Sequence, residues 1–192
     1  MHFFLHGGRS DVDSENNKKF FQNTCHDGNK ILIFPFALDK SEWDELCIKY
    51  EKRWMMYNPD KRLSFACAKP ESLNLIKQIQ ESNVLFFCGG PFPKWHLEVL
   101  DKIENLRALL QDKIIVGVSA GALIRSKVYY SPRYEKIRTT WNGRLNIKMM
   151  VHRWANRHPW LSKEERLKLL EDYWEKLPIY KIPEQEYIEF NI

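Results

Sequence analysis

No stretch of this sequence is apolar for long enough to cross a bilayer. The longest apolar run, from Ile31 to Leu38, contains Pro35 and falls far short of the roughly 20 residues that a membrane-spanning helix needs. The N-terminus has no basic segment followed by an apolar one, so we expect no secretory signal. We therefore predict a cytoplasmic protein with no membrane partner.

Cysteine is scarce and is not arranged for metal binding. Cys25, Cys47, Cys67 and Cys88 stand about twenty residues apart and form no C-x-x-C pair, which zinc sites commonly contain. The spacing favours four buried free thiols in a reducing compartment. Nothing in the sequence indicates a metal ion or an organic cofactor.

Repeats and low-complexity linkers are also missing. The 192 residues are 44% hydrophobic and 29% charged, which is ordinary for a globular protein and favours a single domain over residues 1–192. The net charge of +5 is unevenly spread, because Arg125 to Lys168 carries twelve basic and three acidic residues and leaves the rest of the chain at −4. This basic segment either attracts an acidic substrate or nucleic acid, or is a solvated basic face.

Short apolar runs alternate with segments of helical periodicity over the first two thirds of the chain. Strands are predicted at 2–5, 30–37, 62–68, 83–88 and 114–118, with helices over 12–25, from 41, from 70 and over 93–111. This alternation predicts an α/β protein, a three-layer sandwich with a mostly parallel sheet and helices on both faces. Further on, we expect irregular or hairpin structure over 128–144, an apolar run at 147–151, a helix over 162–175 and one or two strands over 180–192.

The most informative stretch is Gly117-Val118-Ser119-Ala120-Gly121, which follows an apolar, β-branched run. It matches the G-x-S-x-G nucleophile elbow, a strand-to-helix turn so sharp that small residues must flank the serine. In this interpretation Ser119 is a nucleophile at the carboxyl end of a strand. The alternative is a serine that only caps the following helix.

Acyl transfer by Ser119 requires oxyanion donors and a base. The amide of Ala120 is the natural first donor and that of Gly90, at the end of the preceding strand, is our candidate for the second. Among the histidines, His152 is our candidate for the base, because it follows an apolar run that we expect to end at the cleft, and His158 is the reserve. His2 and His6 are expected in the first strand and its turn, and His26 in a turn. His96 is expected at a helix start, where it either faces solvent, which we favour, or approaches the site.

These residues together resemble the peptidase E (aspartyl dipeptidase) and cyanophycinase family of serine peptidases. The resemblance rests on Val-Ser119-Ala-Gly-Ala, on Phe-Phe-Cys-Gly-Gly90 and on the opening Phe-Leu-His-Gly-Gly, and it extends through nearly the whole chain. It implies a flavodoxin-like, class-I glutamine-amidotransferase-like fold. It also implies a Ser119, His152 and Glu184 triad, with Glu135 as the alternative acid, and short peptides as substrates.

Two positions depart from the family's pattern. Pro91 stands where the family often has asparagine, which removes an N–H group and a side-chain partner. The arginine thought to bind the substrate's acidic side chain is matched by Lys163, which keeps the charge but loses bidentate geometry. Strict specificity for aspartyl peptides is therefore not implied.

The leading hypothesis is a serine peptidase, a monomer or homodimer, that hydrolyses short peptides through an acyl-enzyme. A second hypothesis is a non-catalytic amidotransferase-like domain that binds a ligand or partner. Nucleic-acid binding is a weaker third and is not expected. The basic segment contains aromatic residues able to stack on bases, without a recognised motif (Tyr129, Tyr130, Tyr134, Trp141 and Trp154).

Overall fold

The computed structural model describes residues 1–91, 93–131, 136–140, 145–151, 161–173 and 175–192. In chain order the elements are β1 (His2–His6), α1 (Glu15–Asn23), β2 (Lys30–Phe34), a 3-10 turn (Lys40–Glu42), α2 (Trp43–Tyr57), β3 (Ser64–Cys67), α3 (Ser72–Glu81), β4 (Val84–Phe87), α4 (Pro93–Leu100), α5 (Leu106–Leu109), β5 (Ile114–Val118), α6 (Ala120–Leu123), β6 (Ser126–Ser131), β7 (Lys136–Thr139), β8 (Leu145–Val151), α7 (Lys163–Asp172), β9 (Ile179–Ile182) and β10 (Tyr187–Asn191).

The main sheet has six strands in the order β10-β1-β5-β4-β2-β3. Its strands are parallel except for β10, which pairs antiparallel with β1. Alternate residues of the central strands enter two different cores: Leu85 and Phe87 pack on one face, Val84 and Phe86 on the other. A sheet covered on both faces accounts for the continuous apolar runs in the sequence. The predicted α/β sandwich is confirmed.

The two faces are covered differently. Helices α1 and α2 cover one face with an aromatic cluster that includes Phe21 and Trp54, whose rings meet edge to face at 5.0 Å. Helices α3 to α6 and residues of a second sheet cover the other. That second sheet has the order β7-β6-β8-β9, with β6, β8 and β9 parallel and β7 antiparallel. The sequence indicated a hairpin in this region, but not a separate sheet.

One predicted helix is wrong in extent. In place of a continuous helix over 93–111, α4 ends at Leu100, and Asn105, with a left-handed φ of 54°, precedes the short α5. The apolar residues that suggested one helix are still buried on both sides of the break (Leu100, Ile103, Leu106 and Leu110). The intervening turn keeps their side chains on the core side, so periodicity alone could not show the break.

The cysteine prediction is wrong for two of the four residues. Cys47 of α2 and Cys67 of β3 form a disulfide across the edge of the main sheet, with their Cα atoms 5.8 Å apart. Cys25 and Cys88 are buried free thiols, as expected. None of the described helices combines the length and the apolar character that a membrane span requires.

Candidate active site

Ser119 lies at the turn between β5 and α6, at the centre of the main sheet. Its backbone angles, φ 51° and ψ −108°, are strained for a residue with a side chain, and its N–H donates to the carbonyl of His6 at 2.9 Å. Such strain costs on the order of 1–3 kcal/mol and is typical of functional positions. The Ser119 hydroxyl makes no capping hydrogen bond with α6, so the alternative of a mere helix cap is wrong.

The flanking glycines are required by the close approach of neighbouring backbone. A Cβ at Gly121 would lie 2.0 Å from the carbonyl oxygen of Phe87 on β4, and one at Gly117 would lie 2.6 Å from the carbonyl oxygen of Gly121. Both distances are impossible for a side chain. The elbow packs this tightly because α6 folds back directly over the ends of β4 and β5.

Gly89 and Gly90 follow the end of β4 beside the elbow. A Cβ at Gly89 would lie 3.2 Å from the Cβ of Ser119, so this backbone passes immediately next to the serine. A Cβ at Gly90 would lie 2.3 Å from the carbonyl oxygen of Ala37, so Gly90 is held against the end of the β2 segment. Close packing therefore requires glycine at position 90 and leaves little room for a side chain at position 89. The role of the Gly90 amide as an oxyanion donor stays a prediction.

Glu184 lies in the turn that joins the second sheet to the main sheet. Its carboxylate is mostly buried and lies 3.7 Å from the guanidinium of Arg9. The neighbouring Gln185 donates its N–H to the carbonyl of Gly8 at 2.9 Å. Because β1 ends at His6, opposite Val118, the structure brings the predicted acid to the same edge of the sheet as the elbow.

His152 and Glu135 lie outside the described residues, as does the reserve histidine His158. The last described residue before His152 is Val151, which pairs with Ile182, two residues before Glu184. Val151 and Ile182 therefore lie side by side at the ends of adjacent strands that run in the same direction. Lys163 is the first residue of α7, after the capping Ser162.

The expectation that His96 faces solvent is wrong. The ring is fully buried against Phe36 and Phe87, with Nε2 3.1 Å from the carbonyl oxygen of Cys88. A carbonyl only accepts, so Nε2 carries the proton. Burial lowers the pKa of His96 to about 3, and the positive charge of Arg125 adds to this effect. His96 is a neutral residue of the core.

Part of the basic segment is buried. Arg125 lies with its guanidinium carbon 4.0 Å from the centre of the Phe87 ring, and the ammonium of Lys148 donates to the carbonyls of Leu170 and Tyr173 at the end of α7. Tyr129 and Tyr130 are buried too, so they cannot stack on nucleic-acid bases. Tyr134, Trp141 and Trp154 lie outside the described residues. The formal charge of the segment therefore overstates its basic surface.

The sequence interpretation missed three residues near the site: Arg9, Asn17 and, as a side chain, His6. Arg9 has a left-handed φ of 54° without being glycine. His6 and Asn17 are fully buried and hydrogen bonded to each other. The position of His6 directly before Gly7-Gly8 was the only signal in the sequence. Among the described residues, no group of three or more His, Cys, Asp or Glu side chains is placed to hold a metal ion.

No protein-family model matches this chain, and no curated protein sequence matches it either. Two solved structures are similar over its whole length. One is a peptidase from an acI-B1 actinobacterium, 15% identical with a TM-score of 0.63, where the match covers 99% of this chain and 83% of the other. The second is a protein from Listeria monocytogenes EGD-e, provisionally named peptidase E, which is 18% identical with a TM-score of 0.63. That match covers 100% of this chain and 98% of the other. The predicted likeness to peptidase E is confirmed at the level of the fold.

Proposed function

We propose that this protein is a serine-type peptidase that hydrolyses short peptides. The observation that carries the proposal is the backbone of Ser119, which is strained and held between the ends of β1 and β4 by contacts that only glycine neighbours permit. A strained serine at the carboxyl end of a central parallel strand is typical of a nucleophile. The fold shared with two proteins named as peptidases supports the same conclusion.

In the proposed reaction, His152 removes the proton from the Ser119 hydroxyl as its oxygen attacks the peptide carbonyl. The amides of Ala120 and Gly90 hold the oxyanion, and His152 then gives the proton to the departing amine. Water activated by His152 hydrolyses the acyl-enzyme and restores Ser119. Glu184 fixes the tautomer of His152, while Lys163 attracts an acidic substrate side chain.

A covalent probe tests the nucleophile directly. We expect a fluorophosphonate to add one adduct at Ser119 by peptide mass spectrometry, and the wild-type protein to cleave members of a dipeptide library. The Ser119→Ala variant should lose the adduct and about 10⁴-fold or more of the activity. A folded wild-type protein with no adduct and no hydrolysis would refute the proposal and favour the ligand- or partner-binding alternative.

The triad acid is tested by a matched pair of variants. Glu184→Gln removes the charge that orients His152, and we expect kcat to fall about 10³-fold or more. Glu135→Gln is the control and should keep at least about half of the activity. The opposite ranking would assign the role to Glu135.

As part of the same proposal, the protein is located in the cytoplasm and is a monomer or a homodimer.

A further inference from the structure

His6 joins the strand that ends at Ser119 to the turn that carries Glu184, through its backbone carbonyl on one side and its ring on the other. The carbonyl of His6 accepts the N–H of Ser119 at 2.9 Å, and its ring Nδ1 accepts the N–H of Gly8 at 3.0 Å. The carbonyl of Gly8 in turn accepts the N–H of Gln185, next to Glu184. Three consecutive hydrogen bonds thus connect the backbone of Ser119 to that of the residue after Glu184.

The chemistry of these contacts fixes one tautomer of His6. An N–H group can only donate, so Nδ1 holds the lone pair and Nε2 carries the proton. Nε2 donates to the side-chain oxygen of Asn17 at 2.8 Å. The amide nitrogen of Asn17 then donates to the carbonyls of Arg9 and Val12, at 2.9 and 2.6 Å. Every polar atom of the Asn17 side chain is therefore used to hold the loop that follows β1.

The loop held in this way and the turn that faces it each contain a strained residue. Arg9 has φ 54° and Gln185 has φ 63°, left-handed conformations that residues with a side chain disfavour, whereas Gly8 adopts its φ of 122° without that cost. Strained backbone persists only where surrounding contacts over-determine it. The buried ring of His6 and the buried amide of Asn17 supply those contacts, and they leave the Arg9 guanidinium next to the Glu184 carboxylate.

We propose that His6 is a positioning residue, which, with Asn17, sets the place of Glu184 relative to Ser119. This inference rests on the proposed function. Acting through the backbone, His6 touches neither substrate nor the reacting atoms. If the link at Gly8 is broken, Glu184 moves away from its productive position, and an error of about 1 Å in a catalytic group can cost about 100-fold in rate.

Two substitutions separate the ring's two hydrogen bonds. His6→Asn places an amide oxygen near the position of Nδ1 and keeps the acceptor for Gly8. His6→Gln places an amide nitrogen near the position of Nε2 and keeps only the donor to Asn17. We expect His6→Asn to retain kcat within about 3-fold, and His6→Gln to lose about 10- to 100-fold with KM nearly unchanged. His2→Asn, on the same strand about 13 Å away, is the control and should match the wild type.

A double-mutant cycle with Glu184→Gln tests whether His6 acts through the acid. In that background His6→Gln should lower kcat by less than about 2-fold, because the charge to be positioned is already gone. Equal effects of His6→Gln in both backgrounds, or a smaller loss from His6→Gln than from His6→Asn, would overturn the inference. Labelling of Ser119 and hydrolysis by the wild type report separately on the proposed function, so the two failures are distinguishable.

Discussion

Burial lowers the pKa of His96 to about 3, against an ordinary value of 6.5, and this makes the protein's stability depend on pH. The main cause is the loss of solvation that the imidazolium would suffer in the core. The hydrogen bond to the Cys88 carbonyl opposes that effect in part, and the charge of Arg125 adds to it. Between pH 3 and 6.5 the unfolded chain therefore binds a proton at His96 that the folded chain does not bind.

The sign and size of the effect follow from proton linkage. Stability rises with pH wherever the unfolded state holds more protons, so it must fall as the pH is lowered through 6.5. With the two pKa values above, the His96 contribution changes by about 2 kcal/mol between pH 7 and pH 5. Carboxylates titrate mainly below pH 5, so this interval isolates the histidines.

The assay is urea unfolding at pH 7, 6 and 5 for the wild type and for His96→Gln. Glutamine keeps an N–H donor for the Cys88 carbonyl but does not titrate, so the variant should lose about 2 kcal/mol less than the wild type over this range. His26→Gln, at a surface histidine, is the matched control and should follow the wild type. Parallel pH dependence of wild type and His96→Gln would refute the buried, neutral state of His96.

Three further predictions concern stability. The Cys47–Cys67 disulfide joins residues 20 apart in the chain, so its reduction should lower the free energy of unfolding by about 3 kcal/mol in urea melts. A Cys47→Ala/Cys67→Ala variant should be insensitive to the reductant in the same assay. Gly121→Ala should destabilise the protein by at least about 3 kcal/mol in the same assay, because the added Cβ would lie 2.0 Å from a strand carbonyl oxygen. Gly28→Ala should cost only about 1–2 kcal/mol, because the added Cβ would have open space and only the φ of 78° is unfavourable. Lys148→Met should destabilise by about 2–3 kcal/mol, since the carbonyls at the end of α7 lose their donor; a stability equal to the wild type would show that water replaces the ammonium.

The elbow was predictable because all of its determinants are local. A β-branched run, small residues on both sides of Ser119 and a following helix lie within ten residues, and steric limits on such a turn leave few alternatives. The alternating apolar strands and helices likewise indicated the sheet and its two covered faces. His152 and Lys163 stay predictions, as do the oxyanion donors Gly90 and Ala120.

Where sequence reasoning failed, partners distant along the chain decided the outcome. The break before Asn105 was hidden because both sides keep the same apolar spacing. The burial of His96 depends on the ends of two strands and on the position of Arg125, none of which spacing along one helix reveals. The formal charge of the basic segment was likewise misleading, because it includes Lys148, which is buried beneath the end of α7 and adds no charge to the surface.

The sequence by itself determined the sharp turn at Ser119 and the layers around it, because short-range sterics and apolar periodicity act within one element at a time. Only the tertiary structure brought the Glu184 turn against the Gly7-Gly8 turn and closed the disulfide between α2 and β3. Arg9 and Glu184 are 175 residues apart in the chain, yet they meet because β10 returns to pair with β1. No local pattern encodes that meeting, since it is the pairing of the first and last strands that creates it.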